Sequence, residues 1–442
     1  MEMPLTSRRR DFLKAGTAFT ACSLLSASAK AISPNGKLRT AHIGVGGKGA
    51  ANLKSVASHD HVEVAALCDV DTQRLATASR GYTDAETFRD YRELLDRMAD
   101  RIDAVVVSTP DHTHAPATMM AMNLGKPVYC EKPLTHDIYE ARRLRLVSEK
   151  KSIVTQMGIQ RHSAATSRRV VAMLRSGVIG KITRVFTWSF KNWGYDGAKL
   201  QGRHEAPETL DWNLWLGSAK LRPYHPDVYH PRNWRKLIDF GTGTLGDMGV
   251  HIFDTPYGAL ELTAPKWAKT TCRTPTGIGH PEQNVVEYEF SGTKHTTATL
   301  HWTWLDGAHA PPRAEDLQLP TGAVIPKQGS LCIGEAGSLL LPHVAREQLF
   351  PADRFRNYQP PTVAGDDHYH QWVNACLGMG ETSADFSYGG PLTEALLLGV
   401  VANRFPGRKL AWDPKKLQIT NLPEANKLIR RTYRKDFQVE NL

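Results

Sequence analysis

The sequence predicts an α/β protein in two parts: a parallel sheet wrapped by helices, then an α+β domain built on a large, mostly antiparallel, open sheet. Three observations carry that expectation. Short apolar runs alternate with helix-length segments from residue 38 to about 157, a G-x-G-x-x-G turn closes the first of those runs, and after Gln160 strands follow one another with few helices between. Apolar runs separated by helices read as βαβ units, whose parallel sheet is buried on both faces. Apolar–polar alternation instead marks a sheet with one face solvated.

In chain order, the first part is expected to form strands at 40–45, 62–69, 102–108, 128–130 and 153–157, with helices at 49–58, 91–98, 115–124 and 137–150. In the second part a helix at 170–176 precedes a strand at 181–191, and 192–239, crowded with Trp, Tyr, His and Pro, reads as loop. Further strands are expected at 285–290, 296–304 and 338–341. Helices at 249–262, 368–376 and 391–404 would pack on that sheet, and the Pro-rich 310–329 reads as an ordered surface excursion. No internal repeat is visible. The expected division is a leader at 1–29, a first domain at 38–160 and a second at 161–442.

The leader fits a twin-arginine export signal. Arg8-Arg9-Arg10-Asp11-Phe12-Leu13-Lys14 carries the arginine pair, a modestly apolar stretch follows, and Ala27-Ser28-Ala29 offers small residues to a signal peptidase. A lipid anchor at Cys22 is disfavoured because Phe19-Thr20-Ala21-Cys22 is a poor lipobox. Roughly 410 residues remain, enough for two domains of the usual size. No later apolar run reaches the roughly 20 residues that a membrane-spanning helix needs. The expectation is a folded, periplasmic product with no stable membrane insertion.

Hydrophobic residues at 41% and charged residues at 23% leave ample core for a globular fold. The formal charge is +10, of which the leader supplies +2. The remaining Lys and Arg are scattered, densest at 427–435, so a solvated basic surface is expected rather than a nucleic-acid patch. Outside the leader Cys68, Cys130, Cys272, Cys332 and Cys376 are widely spaced and odd in number, with no C-x-x-C. Free thiols are expected, not disulfides or a zinc site.

Gly44-Val45-Gly46-Gly47-Lys48-Gly49 closes a strand and opens a helix, where backbone N–H groups and the helix N-terminus favour a pyrophosphate. Asp69, at the end of the next strand, is placed to accept from ribose hydroxyls and to repel a 2′-phosphate. NAD is therefore expected over NADP, although Arg74 nearby weakens that preference. This is the dinucleotide turn of a Rossmann domain. The segment Ser108-Thr109-Pro110-Asp111-His112-Thr113-His114 follows the strand at 102–108, at the sheet edge that faces the ligand crevice. Asp111, His112 and His114 are metal-ligand types, but their spacing in a turn does not bring two imidazoles onto one ion, so no metal is expected.

Two further features point to chemistry. Glu131-Lys132-Pro133 puts a lysine at the crevice edge, where it either orients a substrate hydroxyl or is a surface residue beside a turn-forming proline. In Gly246-Asp247-Met248-Gly249-Val250-His251, Asp and His stand at i, i+4 on one helix face. That spacing reads either as a carboxylate–imidazole general base or as an N-cap beside a helix-face histidine.

Taken in this order and spacing, the glycine turn, Glu131-Lys132-Pro133 and the Asp247-x-x-x-His251 pair resemble the Gfo/Idh/MocA oxidoreductase family along essentially the whole chain after the leader. The resemblance implies a Rossmann domain followed by an α/β domain whose open sheet serves homo-oligomer contacts. It implies Lys132 and Asp247 holding substrate hydroxyls, with His251 taking the hydroxyl proton. Gly158-Ile159-Gln160-Arg161-His162 falls where family members line the nicotinamide and substrate pocket. Cofactor contacts are accordingly expected from Gly44, Gly46, Gly47, Gly49, Asp69, Ser108, Thr109, Pro110, His114, Glu131, Lys132 and Gln160. Substrate contacts are expected from Arg161, His162 and, by stacking on sugar C–H faces, Trp212.

Three functions are compatible with this site. The first is NAD-dependent oxidation of a sugar, glycoside or cyclitol with a tightly held cofactor. The second is redox-neutral glycoside hydrolysis or elimination through transient oxidation. The third, a non-catalytic NAD-binding sensor, is disfavoured because Lys132 and His251 are both present. Export weighs toward the second, since an exported enzyme has no nicotinamide pool with which to exchange.

Overall fold

The computed structural model describes residues 36–442 except 198, 199 and 321; the leader and Cys22 lie outside the described residues. Six strands form the first sheet: β1 (Leu38–Ile43), β2 (Val62–Cys68), β3 (Glu86–Phe88), β4 (Ala104–Val107), β5 (Val128–Glu131) and β6 (Thr155–Gly158). Their order is β3-β2-β1-β4-β5-β6 and every pairing is parallel. The order reverses between β1 and β4, which opens a crevice at their carboxyl ends.

Connecting helices are α1 (Lys48–Ala57), α2 (Thr72–Ser79), α3 (Tyr91–Arg97), α4 (Asp111–Asn123) and α5 (Ile138–Lys151). Local chemistry sets their starts. Asp71 and Asp90 accept from the N–H of Gln73 and Arg92, and Asp137 forms a capping box with Glu140. Sequence reading missed β3 and α2. Three residues are too short to show a period of two, and only Leu75 of α2 is buried, so no apolar stripe marks it.

The second sheet has nine strands: β7 (Ile182–Ser189), β8 (Trp267–Thr271), β9 (Val285–Ser291), β10 (Thr296–Asp306), β11 (Gln328–Gly334), β12 (Gly337–Pro342), β13 (Gln348–Phe350), β14 (Lys409–Asp413) and β15 (Gln418–Ile419). They run in the order β13-β12-β11-β7-β10-β9-β8-β14-β15. Only β7 and β10 pair in parallel; the other neighbours are antiparallel.

The helices of this part are α6 (Ala165–Arg175), α7 (Trp212–Leu216), α8 (Val250–Ala259), α9 (His368–Cys376) and α10 (Phe386–Ala402). The inner face of the sheet presents Trp302 and Trp304 to Phe253 of α8, with indole and phenyl centroids 4.4 Å apart for Trp302. On the other face, Trp188, Leu331 and Leu340 are covered by Leu317 and Leu319 from the Pro-rich excursion. Part of the sheet that was expected to be open is therefore roofed by the chain itself. Strand β11 begins at Gln328, inside the expected excursion.

Helix 368–376 departs from expectation. It returns to the first sheet, where Trp372 and Val373 bury against Leu38, Val56, Val106 and Tyr129. An amphipathic helix carries no address for its partner, and here the parallel sheet had an uncovered apolar face. Helix α10, apolar nearly all round, packs on α5 and β6 on one side and on α8 and β8 on the other. It is a wall shared by the two sheets.

Cys68, Cys130 and Cys332 are buried free thiols, Cys272 is a half-buried one, and Cys376 is half-buried. No helix among the described residues is long and apolar enough to cross a membrane.

Candidate active site

The β1–α1 turn approaches its surroundings too closely for side chains. Gly44 has φ +84°, and a Cβ there would sit 2.7 Å from the Ser108 carbonyl oxygen; a Cβ at Gly49 would overlap the Gly44 carbonyl. Asp69 braces the turn, accepting from Val45 N and Asp71 N at 3.0 Å each. A carboxylate offers about four acceptor positions, so ribose hydroxyls find two still open. Burial raises the Asp69 pKa, while these bonds and the Arg74 charge pull it down. Arg74 itself lies across Gly46 and pairs with Asp71 at 3.5 Å.

A cleft of about 630 Å³ opens over this turn. It is lined by all the residues expected at the cofactor except Gly49, which lies beneath Gly44. The glycine cradle, the carboxylate at the end of β2 and the polar wall beyond suit a dinucleotide. Asp69→Asn keeps an acceptor for Val45 N but removes the charge, so it is expected to shift the NAD/NADP ratio of dissociation constants toward NADP by about tenfold. An unchanged ratio in cofactor titrations would remove Asp69 from the ribose site.

Behind the cleft the side chains interlock. Glu131 Oε1 accepts from Asn52 Nδ2 and Gln160 Nε2, both at 3.0 Å. His114 lies 2.8 Å from the carbonyls of Thr109 and Pro133, so it ties the β4–α4 turn to the segment carrying Lys132. Asp111 accepts from Thr242 Oγ1 at 2.8 Å and His112 Nε2 donates to Trp215 O at 3.0 Å. These two residues anchor the loop region over the crevice.

Lys132 Nζ donates to Asp247 Oδ1 at 2.7 Å and to the Asp247 carbonyl at 3.0 Å. Trp193 Nε1 donates to Asp247 Oδ2 at 2.7 Å, and Arg235 Nε reaches Oδ1 at 3.4 Å. Burial would raise the Asp247 pKa, but the charges of Lys132 and Arg235 outweigh it and hold the carboxyl ionised, well below the usual range. Asp247 sits in a π-helical turn, Leu245–Gly249, ahead of α8; such turns re-aim side chains. Both sequence readings of the Asp247/His251 spacing therefore need correction. Asp247 neither caps α8 nor pairs with His251; its partners are Lys132, Trp193 and Arg235.

His251 lines the cleft, and its Nδ1 is buried with no hydrogen-bond partner among the described residues. Burial, then the charge of Lys132 and the neighbouring His343 and Lys191, push its pKa well below the ordinary value, with Asp247 opposing only in part. The ring is neutral and able to accept a proton.

The expected substrate contacts fare differently. Trp212 is not in the cleft: it stacks on Trp215, centroids 4.8 Å apart, and donates to Arg222 O at 2.8 Å. Trp215 lines the cleft in its place: three residues apart on α7, the two indoles share a face and stack, and Trp215 is the one that reaches the lining. His162 does not line the cleft either; it meets Asp254 at 2.7 Å, and Tyr388 donates to the same carboxylate at 2.6 Å. Arg161 lines a small recess shared with His251 and His343. Sequence reading marked Trp193 only as one of the loop aromatics that could pack on a sugar, and passed over Lys191, Arg235 and His343, which come from loops and strand ends that no motif connects to α8.

The buried imidazoles have a consequence for stability. His42, His112 and His280 are pushed by burial to about 3, His368 to about 4, and His136 and His251 well below 6.5. Unfolded, each would bind a proton near pH 6.5, so their contribution is present above that pH and lost as the pH falls toward the folded values. Burial raises Asp69, Asp111, Asp137 and Asp306, which act oppositely, but with His225, His230 and His343 also lowered, nine histidines face these four among the described residues. The unfolding midpoint is expected to fall between pH 6.5 and 4.5, at about 1.4 kcal/mol per pH unit for each uncompensated histidine. Calorimetry across that range checks it, and a rising midpoint would contradict it.

The fold and cleft define a two-domain, dinucleotide-binding oxidoreductase architecture. Residues 38–159 match the family model described as oxidoreductase family, NAD-binding Rossmann fold, and residues 166–260 match that of the oxidoreductase family C-terminal alpha/beta domain. The chain belongs to the Gfo/Idh/MocA oxidoreductase family.

Among curated relatives, the rhizopine catabolism protein MocA of Rhizobium meliloti is 29% identical over 190 residues, covering 41% of this chain and 57% of that protein. Inositol 2-dehydrogenase of Rubrobacter xylanophilus is 32% identical over 142 residues, covering 31% and 40%. A glycosyl hydrolase family 109 protein of Shewanella pealeana is 31% identical over 156 residues, covering 33% of each. The chain thus spans 33% to 57% of the length of these relatives.

Two solved structures share the fold over most of the chain. The WlbA dehydrogenase of Bordetella pertussis, in complex with NADH and UDP-GlcNAcA, has a TM-score of 0.60 at 16% identity, covering 85% of this chain and 99% of that one. The aldose-aldose oxidoreductase of Caulobacter crescentus has a TM-score of 0.57 at 16% identity, covering 85% and 100%.

Proposed function

We propose that the protein is an NAD-dependent oxidoreductase acting on a hydroxyl of a sugar, glycoside or cyclitol, with a tightly held cofactor. The observation that carries this reading is the ionised Lys132–Asp247 pair at 2.7 Å beside a neutral His251 at the edge of the dinucleotide cleft. Bound NAD would supply a hydride acceptor. Gly44, Gly46 and Gly47 would hold its pyrophosphate, Asp69 its ribose, and Glu131 and Gln160 would face its nicotinamide end. Lys132 orients the substrate hydroxyl by donating to its oxygen, Asp247 holds Lys132 aimed, and His251 takes the hydroxyl proton. The inositol dehydrogenase and MocA relatives support a polyol substrate.

A second reading is favoured by the glycosyl hydrolase family 109 relatives and by the leader read as an export signal: a redox-neutral glycoside hydrolase or lyase in which the hydride returns to the substrate. In it His251 and Lys132 keep the same proton and orienting roles. One experiment separates the two. Purified protein is freed of unbound nucleotide, checked for retained NAD, and offered myo-inositol, glucose and an aryl glycoside. Net growth of reduced-nicotinamide absorbance supports the first reading. Release of the aglycone without such growth supports the second, and neither response contradicts both.

Export by the twin-arginine route belongs to the same proposal, because that route carries folded cargo and lets NAD be loaded beforehand. A homo-oligomer through the part of the second sheet left uncovered by the excursion completes it; light scattering at two protein concentrations tests that element.

A further inference from the structure

Resting on the reading above for where the reacting hydroxyl lies, we propose that the substrate is anionic: a sugar or cyclitol bearing a carboxylate or phosphate, held by Arg161 and Lys191 beside His251. The basis is a surplus of positive charge at the catalytic end that the protein does not neutralise.

Lys132 and Arg235 share the single carboxylate of Asp247. Lys191, just beyond β7, has its Nζ 3.2 Å from Met248 Sδ, a weak acceptor, and no carboxylate within ion-pair distance among the described residues. Arg161 is half-buried and makes no side-chain hydrogen bond among the described residues. Asp254, whose charge it feels, meets His162 and Tyr388 through Oδ1 at 2.7 and 2.6 Å and makes no ion pair with Arg161 among the described residues.

Both cations act at the imidazole pair of the catalytic end. Arg161 lines one recess with His251 and His343, whose rings lie 5.8 Å apart. The charges of Lys191 and Lys132 reach His251, and those of Arg161, Lys191 and Lys132 reach His343. A half-buried guanidinium without an acceptor loses hydrogen bonds to water and gets none in return. An anionic substituent supplies them, and the planar fork of Arg161 suits two oxygens at once.

The test uses the full, NAD-loaded protein and three probes: glucose, glucuronate and glucose 6-phosphate, titrated by calorimetry at low and high salt. One of the two anions is expected to bind about tenfold or more tighter than glucose, with the advantage shrinking as salt rises. Which anion wins separates carboxylate from phosphate. Arg161→Met and Lys191→Met are each expected to bring the anion-to-glucose ratio toward one, while Arg161→Lys retains part of it. Equal binding of all three probes, failure of both anions to bind, or a preference surviving both methionine variants overturns the proposal. Reduced-nicotinamide absorbance is followed in the same samples. Anion preference without NAD reduction would leave the anion site standing and remove the oxidoreductase reading. NAD reduction with no anion preference would do the reverse.

Discussion

Replacing Lys132 with methionine is expected to lower turnover by about 10²–10⁴-fold while leaving NAD bound, because the side chain orients a hydroxyl and plays no part in the glycine cradle. The variant also removes the principal counter-charge of Asp247. That carboxylate keeps Trp193 at 2.7 Å and Arg235 at 3.4 Å, so it stays ionised but loses the partner that faces the cleft. Bound NAD should therefore still co-purify, and the loss should fall on kcat more than on cofactor affinity. Lys132→Arg keeps the charge but not the point geometry and is expected to recover little. Steady-state rates with the best alcohol from the substrate panel decide it. A Lys132→Met enzyme within about threefold of wild type would leave the hydroxyl-orienting role to another group.

His251→Ala is expected to cost about as much, 10²–10⁴-fold, and to change the pH profile, which separates its role from that of Lys132. The sign follows from its surroundings. Burial and the charges of Lys132 and Lys191 hold the imidazole well below 6.5, so the neutral, proton-accepting form persists as the pH falls through 6.5. Wild-type kcat/KM for alcohol oxidation should consequently stay level through pH 6.5, with its acid limb lower. An acid limb at 6.5 or above would assign the proton to a different base. Lys191→Met removes one of the depressing charges and is expected to move that limb upward. Partial recovery of His251→Ala by added imidazole would place the missing proton acceptor at this position.

The two predictions depend on an arrangement that sequence spacing misread. Asp247 and His251, four apart, looked like a carboxylate–imidazole dyad. The π-helical turn at Leu245–Gly249 shifts the register between them, and the carboxylate turns to Lys132, which comes from the other sheet. Nothing local announces that turn, since it is selected by what Asp247 meets across 115 residues of chain. Trp212 and Trp215 show the same limit. Both sit on a five-residue helix in an aromatic cluster, and only the packing of Tyr224, Tyr229 and Phe240 decides which indole faces the cleft.

Local chemistry was more legible. The apolar runs of β1, β2, β4 and β5 are continuous because a parallel sheet is buried on both faces, and the period changes after Gln160 because the second sheet is not. Asp137 and Glu140 spell a capping box in four letters. The strands β3, β8, β13, β14 and β15 are too short or too mixed to stand out, and their strand conformation comes from the neighbour they pair with.

By itself, then, the sequence determined the two-part α/β class, the glycine turn with Asp69 twenty residues on, and the three residue types of the catalytic end. These are set by backbone sterics, by the period of apolar side chains and by short-range hydrogen bonding, all written in neighbouring residues. Tertiary structure alone decided that α9 closes the parallel sheet, that Asp247 serves Lys132 rather than His251, and that Arg161 and Lys191 stand at the catalytic end with no ion pair of their own among the described residues. Those outcomes depend on which surfaces remain uncovered and which charges meet across the fold, and no local pattern encodes them.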